Sequence, residues 1–354
     1  MHQRAAAELS ALTLSPHVVV WESTRACDFA CRHCRADAIP YRLPGELSTD
    51  EARGIIDQLA DNSVRLFVIS GGDALKRDDI FELIGYASAR LRTALSPSGS
   101  KIDSSAAENI RKAGASIVSI SVDGPQPVHD EFRGVNGAFS IASGAIASLQ
   151  SAGVPVQINS TLSVYNINRL TELKETVLSM KPDFWDLFMI VPTGRATAEM
   201  ALTQEQANTA MRTVAAWRAE GLQVRMTCAP YLIRIMSENG AKLQKPDETG
   251  RKSVNGARGC MAGNGYSFIS YDGTVYPCGF LPLPAGSIRK SSFAEIYNGK
   301  LFSELRDSSL LGGKCGICNF RTVCGGCRAR AYASTGDWMA EDSLCDYSVR
   351  GGGA

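Results

Sequence analysis

Three cysteines, Cys27, Cys31 and Cys34, follow directly on the apolar stretch Val18-Val19-Val20-Trp21, in the order Arg25-Ala-Cys-Asp-Phe-Ala-Cys-Arg-His-Cys-Arg35. A chain with a C-x3-C-x2-C triplet on one short loop must fold around whatever those thiols hold. Three thiolates bind three irons of a cubane and leave the fourth iron open to a small molecule, whereas a structural zinc site usually closes with four protein ligands. Taken alone, the triplet also fits zinc or redox cysteines.

The rest of the cysteine usage narrows the choice. The 354-residue chain carries eleven cysteines in tight clusters, and 44% hydrophobic content supports a substantial core. No apolar run approaches the roughly 18 residues of a spanning helix, and the first residues lack a signal-peptide plan. The expectation is a cytoplasmic protein whose cysteines are metal or cluster ligands rather than disulfides. A formal charge of only +1 gives no reason to expect binding to nucleic acid or a membrane surface, so local Arg and Lys must hold any anionic substrate.

From about residue 17 to 225, β-rich runs alternate with helical-length segments, the pattern of βα units on a parallel sheet. The strands are expected at Val18–Trp21, Arg65–Ser70, Arg92–Ser96, Ser116–Val122, Pro155–Leu162, Phe184–Ile190 and Gln223–Met226. Thr49–Asn62 reads as a helix capped by Ser48 or Thr49, with Ile55, Ile56 and Leu59 on one face. Six or more such units fit a full or partial (β/α) barrel, whose active site lies at the carboxyl ends of the strands. Those ends carry the cysteine loop, Ser70-Gly71-Gly72-Asp73, Ser96-Pro-Ser-Gly99 and Ser121-Val-Asp-Gly124. From about residue 250 the chain turns Gly- and Cys-rich, as a loop-rich domain stapled by metal clusters would be. Expected boundaries are an N-terminal extension over 1–16, a core domain over 17–250, a cysteine-rich domain over 251–349 and a flexible tail over 350–354.

The triplet after a first strand resembles the cluster loop of the radical S-adenosylmethionine (SAM) superfamily. The resemblance implies a [4Fe-4S] cluster on Cys27, Cys31 and Cys34 whose open iron is chelated by the amine and carboxylate of SAM. His33 takes the place of the residue that lies against adenine in that family. Gly71-Gly72-Asp73 resembles the Gly-Gly-Glu motif that contacts the SAM amine, with Asp73 for the usual Glu and Ala74 for a common proline. Ser121-Val-Asp123-Gly-Pro and the later Arg133 resemble the region that binds the SAM carboxylate and ribose. Asn159, Thr161 and the segment Ile190-Val191-Pro-Thr-Gly-Arg195 are placed as contacts to adenosine and substrate; their plainer reading is strand-end polar residues.

The later cysteines, Cys260, Cys278, Cys315-x2-Cys318-x5-Cys324-x2-Cys327 and Cys345, resemble the SPASM extension of radical SAM enzymes, which carries up to two auxiliary [4Fe-4S] clusters. The third interval is x2 where the family commonly has x3. By analogy Cys315, Cys318, Cys324 and Cys345 hold one auxiliary cluster, and Cys260, Cys278 and Cys327 supply three ligands to the other. No cysteine stands just before Cys260, so that cluster is open to substrate, closed by the remote Cys228, or absent; Cys228 otherwise reads as a buried thiol. Zinc-ribbon pairs are the competing reading, but seven cysteines do not divide into fours.

The fold class implied is a partial (β/α)6 TIM-like barrel with a C-terminal cysteine-rich iron–sulfur (SPASM) domain. The run Tyr276-Pro-Cys-Gly-Phe280 and the tail Cys324-Gly-Gly-Cys-Arg-Ala-Arg330 look most like the branch acting in haem and haem d1 biosynthesis. That implies an oxidative radical enzyme acting on a tetrapyrrole side chain, with Arg195, Arg328 or Arg330 as carboxylate clamps. The alternative substrate is a ribosomally made peptide, with a separate leader-peptide-binding partner, since only about sixteen residues precede the first strand. A non-catalytic electron carrier or zinc-stapled module is the reading from outside enzymology, and leaves Gly-Gly-Asp and Arg133 unexplained. The reductant expected is of the flavodoxin or ferredoxin type.

Overall fold

The computed structural model describes residues 15–242 and 259–348. Most of the expected N-terminal extension, the 250/251 boundary and the 350–354 tail lie outside the described residues. One ten-stranded sheet organises the chain. Its strands are β1 (Val18–Glu22), β2 (Leu66–Ser70), β3 (Thr93–Leu95), β4 (Ile117–Ser121), β5 (Val156–Leu162), β6 (Phe184–Met189), β7 (Val224–Thr227), β8 (Tyr266–Ile269), β9 (Thr274–Tyr276) and β10 (Gly286–Ser287). All seven strands expected from the βα alternation form, within a residue or two of the expected ends.

Strands β1 to β7 are parallel and sequential. Among the described residues the sheet does not close. The second edge of β1 is taken by β8, which pairs with it in parallel from Val18↔Tyr266 to Trp21↔Ile269, and β9 and β10 extend that edge antiparallel. The cysteine-rich C-terminal segment is therefore part of the same sheet as the βα units.

Burial alternates along β1, β2 and β5, with one face packed against helices and the other half-exposed. Val19, Trp21, Phe67, Ile69, Val156 and Ile158 enter the core, while the other face of β5 carries Gln157, Asn159 and Thr161. A closed barrel fills its interior with layered apolar side chains; this open one leaves a polar inner face for ligands. The first helix, α1 (Thr49–Asp61), forms as expected. Ser48 and Glu51 make a reciprocal capping box, and Ile55, Ile56 and Leu59 are buried. Among the described residues no helix is long and apolar enough to cross a membrane.

Asp186 on β6 is a charged residue within this interior. It is 8% exposed, and its carboxylate accepts the Thr227 hydroxyl at 3.0 and 3.2 Å. Burial pushes its pKa up to about 6, opposed by Arg225 and by the Thr227 hydrogen bond. An acid raised in the folded state stabilises the fold while protonated, and that stability is lost as pH climbs from about 4 through 6. Asp186→Asn keeps the acceptor and removes the charge. It should raise unfolding stability at pH 8 by on the order of 2 kcal/mol and leave it unchanged below pH 4, as read by urea denaturation at both values.

Candidate functional site

The loop after β1 is held from three sides by backbone contacts. From β2, the Gly72 N–H donates to Thr24 O at 2.7 Å and the Asp73 N–H to Ala26 O at 2.6 Å. A Cβ on Gly71 would stand 2.6 Å from Thr24 O, and one on Gly72 2.5 Å from Ala26 O. Two glycines are needed because two backbones touch there. From the outside, Glu46 accepts the Thr24 hydroxyl at 2.7 Å and the Arg25 N–H at 3.2 Å. From β6, the Arg195 N–H donates to Cys34 O at 3.0 Å, and the Arg195 side chain donates to Cys31 O at 3.0 Å and Ala38 O at 2.8 Å. Gly194, at φ +64, lies where a Cβ would meet Cys34 O and Arg35 O at 2.4 Å.

This clasp brings Cys27, Cys31 and Cys34 into one buried group with Phe29 and Ala38. Cys27 Sγ accepts the Phe29 N–H and Cys34 Sγ the Ala38 N–H, both at 3.4 Å, and Arg133 Nη1 faces Cys31 Sγ at 3.8 Å. Sulfur-directed donors of this kind stabilise thiolate ligands. Burial pushes the Cys27 thiol up to about 12, so it stays protonated unless a cation lies beside it.

The remaining site residues surround this group. His33 stacks on Phe132 with ring centroids 3.8 Å apart, and burial lowers its pKa to about 3, so the imidazole is neutral. Arg133 grips the fully buried Asp123 through Nε at 2.7 Å and Nη2 at 2.6 Å. Asp123 also accepts the Thr161 N–H at 2.8 Å, and Asn166 donates to the carbonyls of Asp123 and Thr161 at 2.9 and 2.8 Å. Ser121 ends β4 opposite Asn159, whose Oδ1 accepts from Gln157 at 2.7 Å. Asp73 is fully buried; its carboxylate accepts the Leu75 N–H at 3.0 Å and the hydroxyls of Ser98 and Ser100 at 2.5 and 3.1 Å. Thr161, Asn159, Ser121 and the Gly71-Gly72 strip thus stand at adjacent strand ends around the cysteine loop.

The carboxyl-terminal cysteines form two further groups. Cys315, Cys318, Cys324 and Cys345 line one small pocket together with Tyr231 and Phe320. Cys318 Sγ accepts the Phe320 N–H at 3.3 Å, and Arg328 Nη2 faces Cys315 Sγ at 3.8 Å. Cys327 is buried with Val191, Leu281 and Ala329, and Cys278 packs against them. Cys278 Sγ accepts the Phe280 N–H at 3.4 Å, and burial pushes its thiol up to about 12. Among the described residues no three His, Cys, Asp or Glu side chains converge as tightly as a single metal ion requires.

Three arginines differ from expectation. Arg328, 3% exposed, donates to the carbonyls of Trp338 at 2.9 Å and Ala340 at 2.7 Å. Arg330, equally buried, is paired with Asp342 at 3.0 Å. Arg195 is spent on the cysteine loop. Arg328 and Arg330 have donors turned inward to carbonyls and a carboxylate, whereas Arg195 reaches Cys31 O and Ala38 O and keeps a buried Nη2 without a partner. Sequence reasoning missed Gly194, Glu46, Asn166 and Asp342 as supports of the site; only Gly194, beside an arginine at a strand end, carried a signal.

Comparison with known proteins agrees with this geometry. The model of the radical SAM superfamily matches residues 21–177, and that of an iron–sulfur cluster-binding domain, SPASM, matches residues 260–328. An AdoMet-dependent heme synthase from Nitratidesulfovibrio vulgaris is 38% identical over 94% of this chain and 93% of its own length. A pre-heme d1 synthase from Dinoroseobacter shibae is 32% identical over 93% and 85%. Among solved structures, Streptococcus suis SuiB bound to S-adenosylmethionine superposes with a TM-score of 0.76 at 18% identity, covering 98% of this chain and 81% of that one; SuiB is also seen bound to its precursor peptide SuiA. The chain belongs to the radical SAM superfamily, as a member with a C-terminal SPASM domain. It is accordingly an enzyme whose cofactors are [4Fe-4S] clusters and S-adenosylmethionine.

The clasp gives a direct test. Gly194→Ala should displace the loop that carries Cys31 and Cys34, lowering iron in anaerobically reconstituted protein by about four per chain while the C-terminal clusters stay. Iron and labile sulfide analysis reads the loss.

Proposed function

We propose that the protein uses reductive cleavage of SAM to oxidise or remove a carboxylate side chain of a tetrapyrrole. The observation that carries the reading is the thiol triplet, fixed at the strand ends by the Gly71-Gly72 strip and Arg195 and ringed by polar residues able to hold one zwitterionic nucleoside. When bound, the clusters supply the electron that splits SAM into methionine and a 5′-deoxyadenosyl radical, and an acceptor for the electron left on the substrate.

The chain's own residues do the positioning. Cys27, Cys31 and Cys34 hold the SAM cluster; Cys315, Cys318, Cys324 and Cys345 hold an auxiliary cluster; Cys260, Cys278 and Cys327 belong to another. Gly71, Gly72 and Asp73 face the SAM amine, with Asp73 acting through the serines it holds. Ser121, Asp123 and Arg133 serve the carboxylate and ribose, and Asp123 keeps the Arg133 fork oriented. His33, Asn159 and Val191 border the adenosine. A half-open inner sheet face, covered once substrate sits on it, keeps water from the radical. The domain division at 250/251 and a cytoplasmic location with a flavodoxin- or ferredoxin-type reductant belong to the same proposal.

Identity to the heme and pre-heme d1 synthases over nearly the whole chain supports a tetrapyrrole. The hydrogen atom leaves as 5′-deoxyadenosine; the substrate then gives up one electron and, where a propionate is decarboxylated, carbon dioxide, leaving a carbon–carbon double bond on the side chain. The second reading, a ribosomally made peptide presented by a separate leader-binding protein, draws on the fold shared with SuiB, which is seen bound to its precursor peptide.

Reduced, reconstituted protein should release 5′-deoxyadenosine from SAM, and a tetrapyrrole bearing propionate groups should speed that release and lose mass in chromatography–mass spectrometry. Cys31→Ala should lower 5′-deoxyadenosine formation by at least about a thousandfold, the scale of losing an essential group. Cleavage persisting in that variant would remove the triplet from the chemistry.

A further inference from the structure

We propose that Cys228 is the fourth ligand of the auxiliary cluster to which Cys260, Cys278 and Cys327 belong, closing that cluster with protein thiols. The inference rests on the cluster reading of those three cysteines.

Cys228 follows directly on β7, far in sequence from the other three, yet the fold brings it to them. It packs with Cys278 against the buried group of Val191, Leu281, Cys327 and Ala329. Its thiol lies within hydrogen-bonding reach of the Cys327 thiol and feels the charge of Cys278, while Cys278 in turn feels Cys260 and Cys327. The four thiols form one connected set.

The backbone is built to aim this thiol. Cys228 has φ +59, in the left-handed region that non-glycine residues avoid. A buried arginine holds it there: Arg330 donates to Cys228 O from Nη1 at 3.1 Å and Nη2 at 2.5 Å. Arg330 Nε is fixed by Asp342 Oδ1 at 3.0 Å, and Asp342 Oδ2 accepts the Cys327 N–H at 2.8 Å. One carboxylate therefore sets the positions of Cys228 and Cys327 together. A strained residue held by a dedicated network marks a functional position more than a packing thiol.

The inventory closes as well. Of the eleven cysteines, three lie on the first loop and four line the pocket with Cys315, which leaves Cys228, Cys260, Cys278 and Cys327. The stretch 243–258 contains no cysteine to compete for the place. A disulfide between Cys228 and Cys327 would leave Cys260 and Cys278 as two unused buried thiols.

The test compares anaerobically reconstituted wild type, Cys228→Ala, Cys228→Ser and Cys260→Ala by iron and sulfide content and by electron paramagnetic resonance, with SAM cleavage as the control for an intact first site. Wild type should hold about twelve irons per chain, and Cys228→Ala should either fall to about eight or show the signal of a three-iron cluster. The near-isosteric Cys228→Ser, which keeps the fold, should alter the spectrum of one reduced auxiliary cluster. Spectra and iron unchanged from wild type in both Cys228 variants, with iron lost in Cys260→Ala, would overturn Cys228 as ligand. Iron unchanged in Cys260→Ala, or zinc in place of iron, would instead overturn the cluster on which the inference rests.

Discussion

The contact on which the rest of the molecule depends is a pair of peptide hydrogen bonds, Gly72 N–H to Thr24 O and Asp73 N–H to Ala26 O. They extend the pairing of β1 and β2 beyond the strands themselves, so the cysteine loop continues the sheet instead of wandering from it. Side chains at 71 and 72 would break that approach. A rigid scaffold then presents a loop rich in reactive groups, the usual division of labour in α/β enzymes.

A second layer ties the loop to the C-terminal segment. Arg35 pairs with Glu22 at the end of β1 and lies over the Phe268 ring of β8, its guanidinium carbon 4.3 Å from the centroid. The stretch after β6 reaches the same two regions, since Arg195 holds the loop carbonyls, Thr193 donates to Phe280 O at 3.0 Å and Val191 packs on Cys327. Site and auxiliary region are thus joined by short, well-packed connections. Movement of one without the other would break buried polar bonds as well as apolar contacts.

Much of this was legible in the sequence because it is local. Val18–Trp21 reads as a strand from its continuous apolar run, Phe184–Ile190 from a run broken only by Asp186, and Ser48 or Thr49 reads as the cap of a helix start. Cys27, Cys31 and Cys34 announce themselves by proximity. Illegible was everything that depends on which distant residues meet. Arg195, Arg328 and Arg330 read as carboxylate clamps in a string of letters, yet Arg195 reaches Cys31 O, Arg328 the carbonyl of Trp338, and Arg330 both Asp342 and Cys228 O. Asp73 reads as a ligand-facing acid, and its oxygens are filled by Ser98, Ser100 and the Leu75 N–H. Pairing of β8 with β1 has no sequence signature, because a parallel partner can come from anywhere in the chain.

That last pairing bears on biosynthesis. Val18–Trp21 leave the ribosome well before their partners Tyr266–Ile269, which emerge only after β2 to β7 have been made. Until then β1 offers an unpaired row of peptide groups to any neighbouring strand. The nascent chain must therefore shield an adhesive edge while β2 to β7 are made, and the C-terminal cysteine-rich segment then becomes its cover.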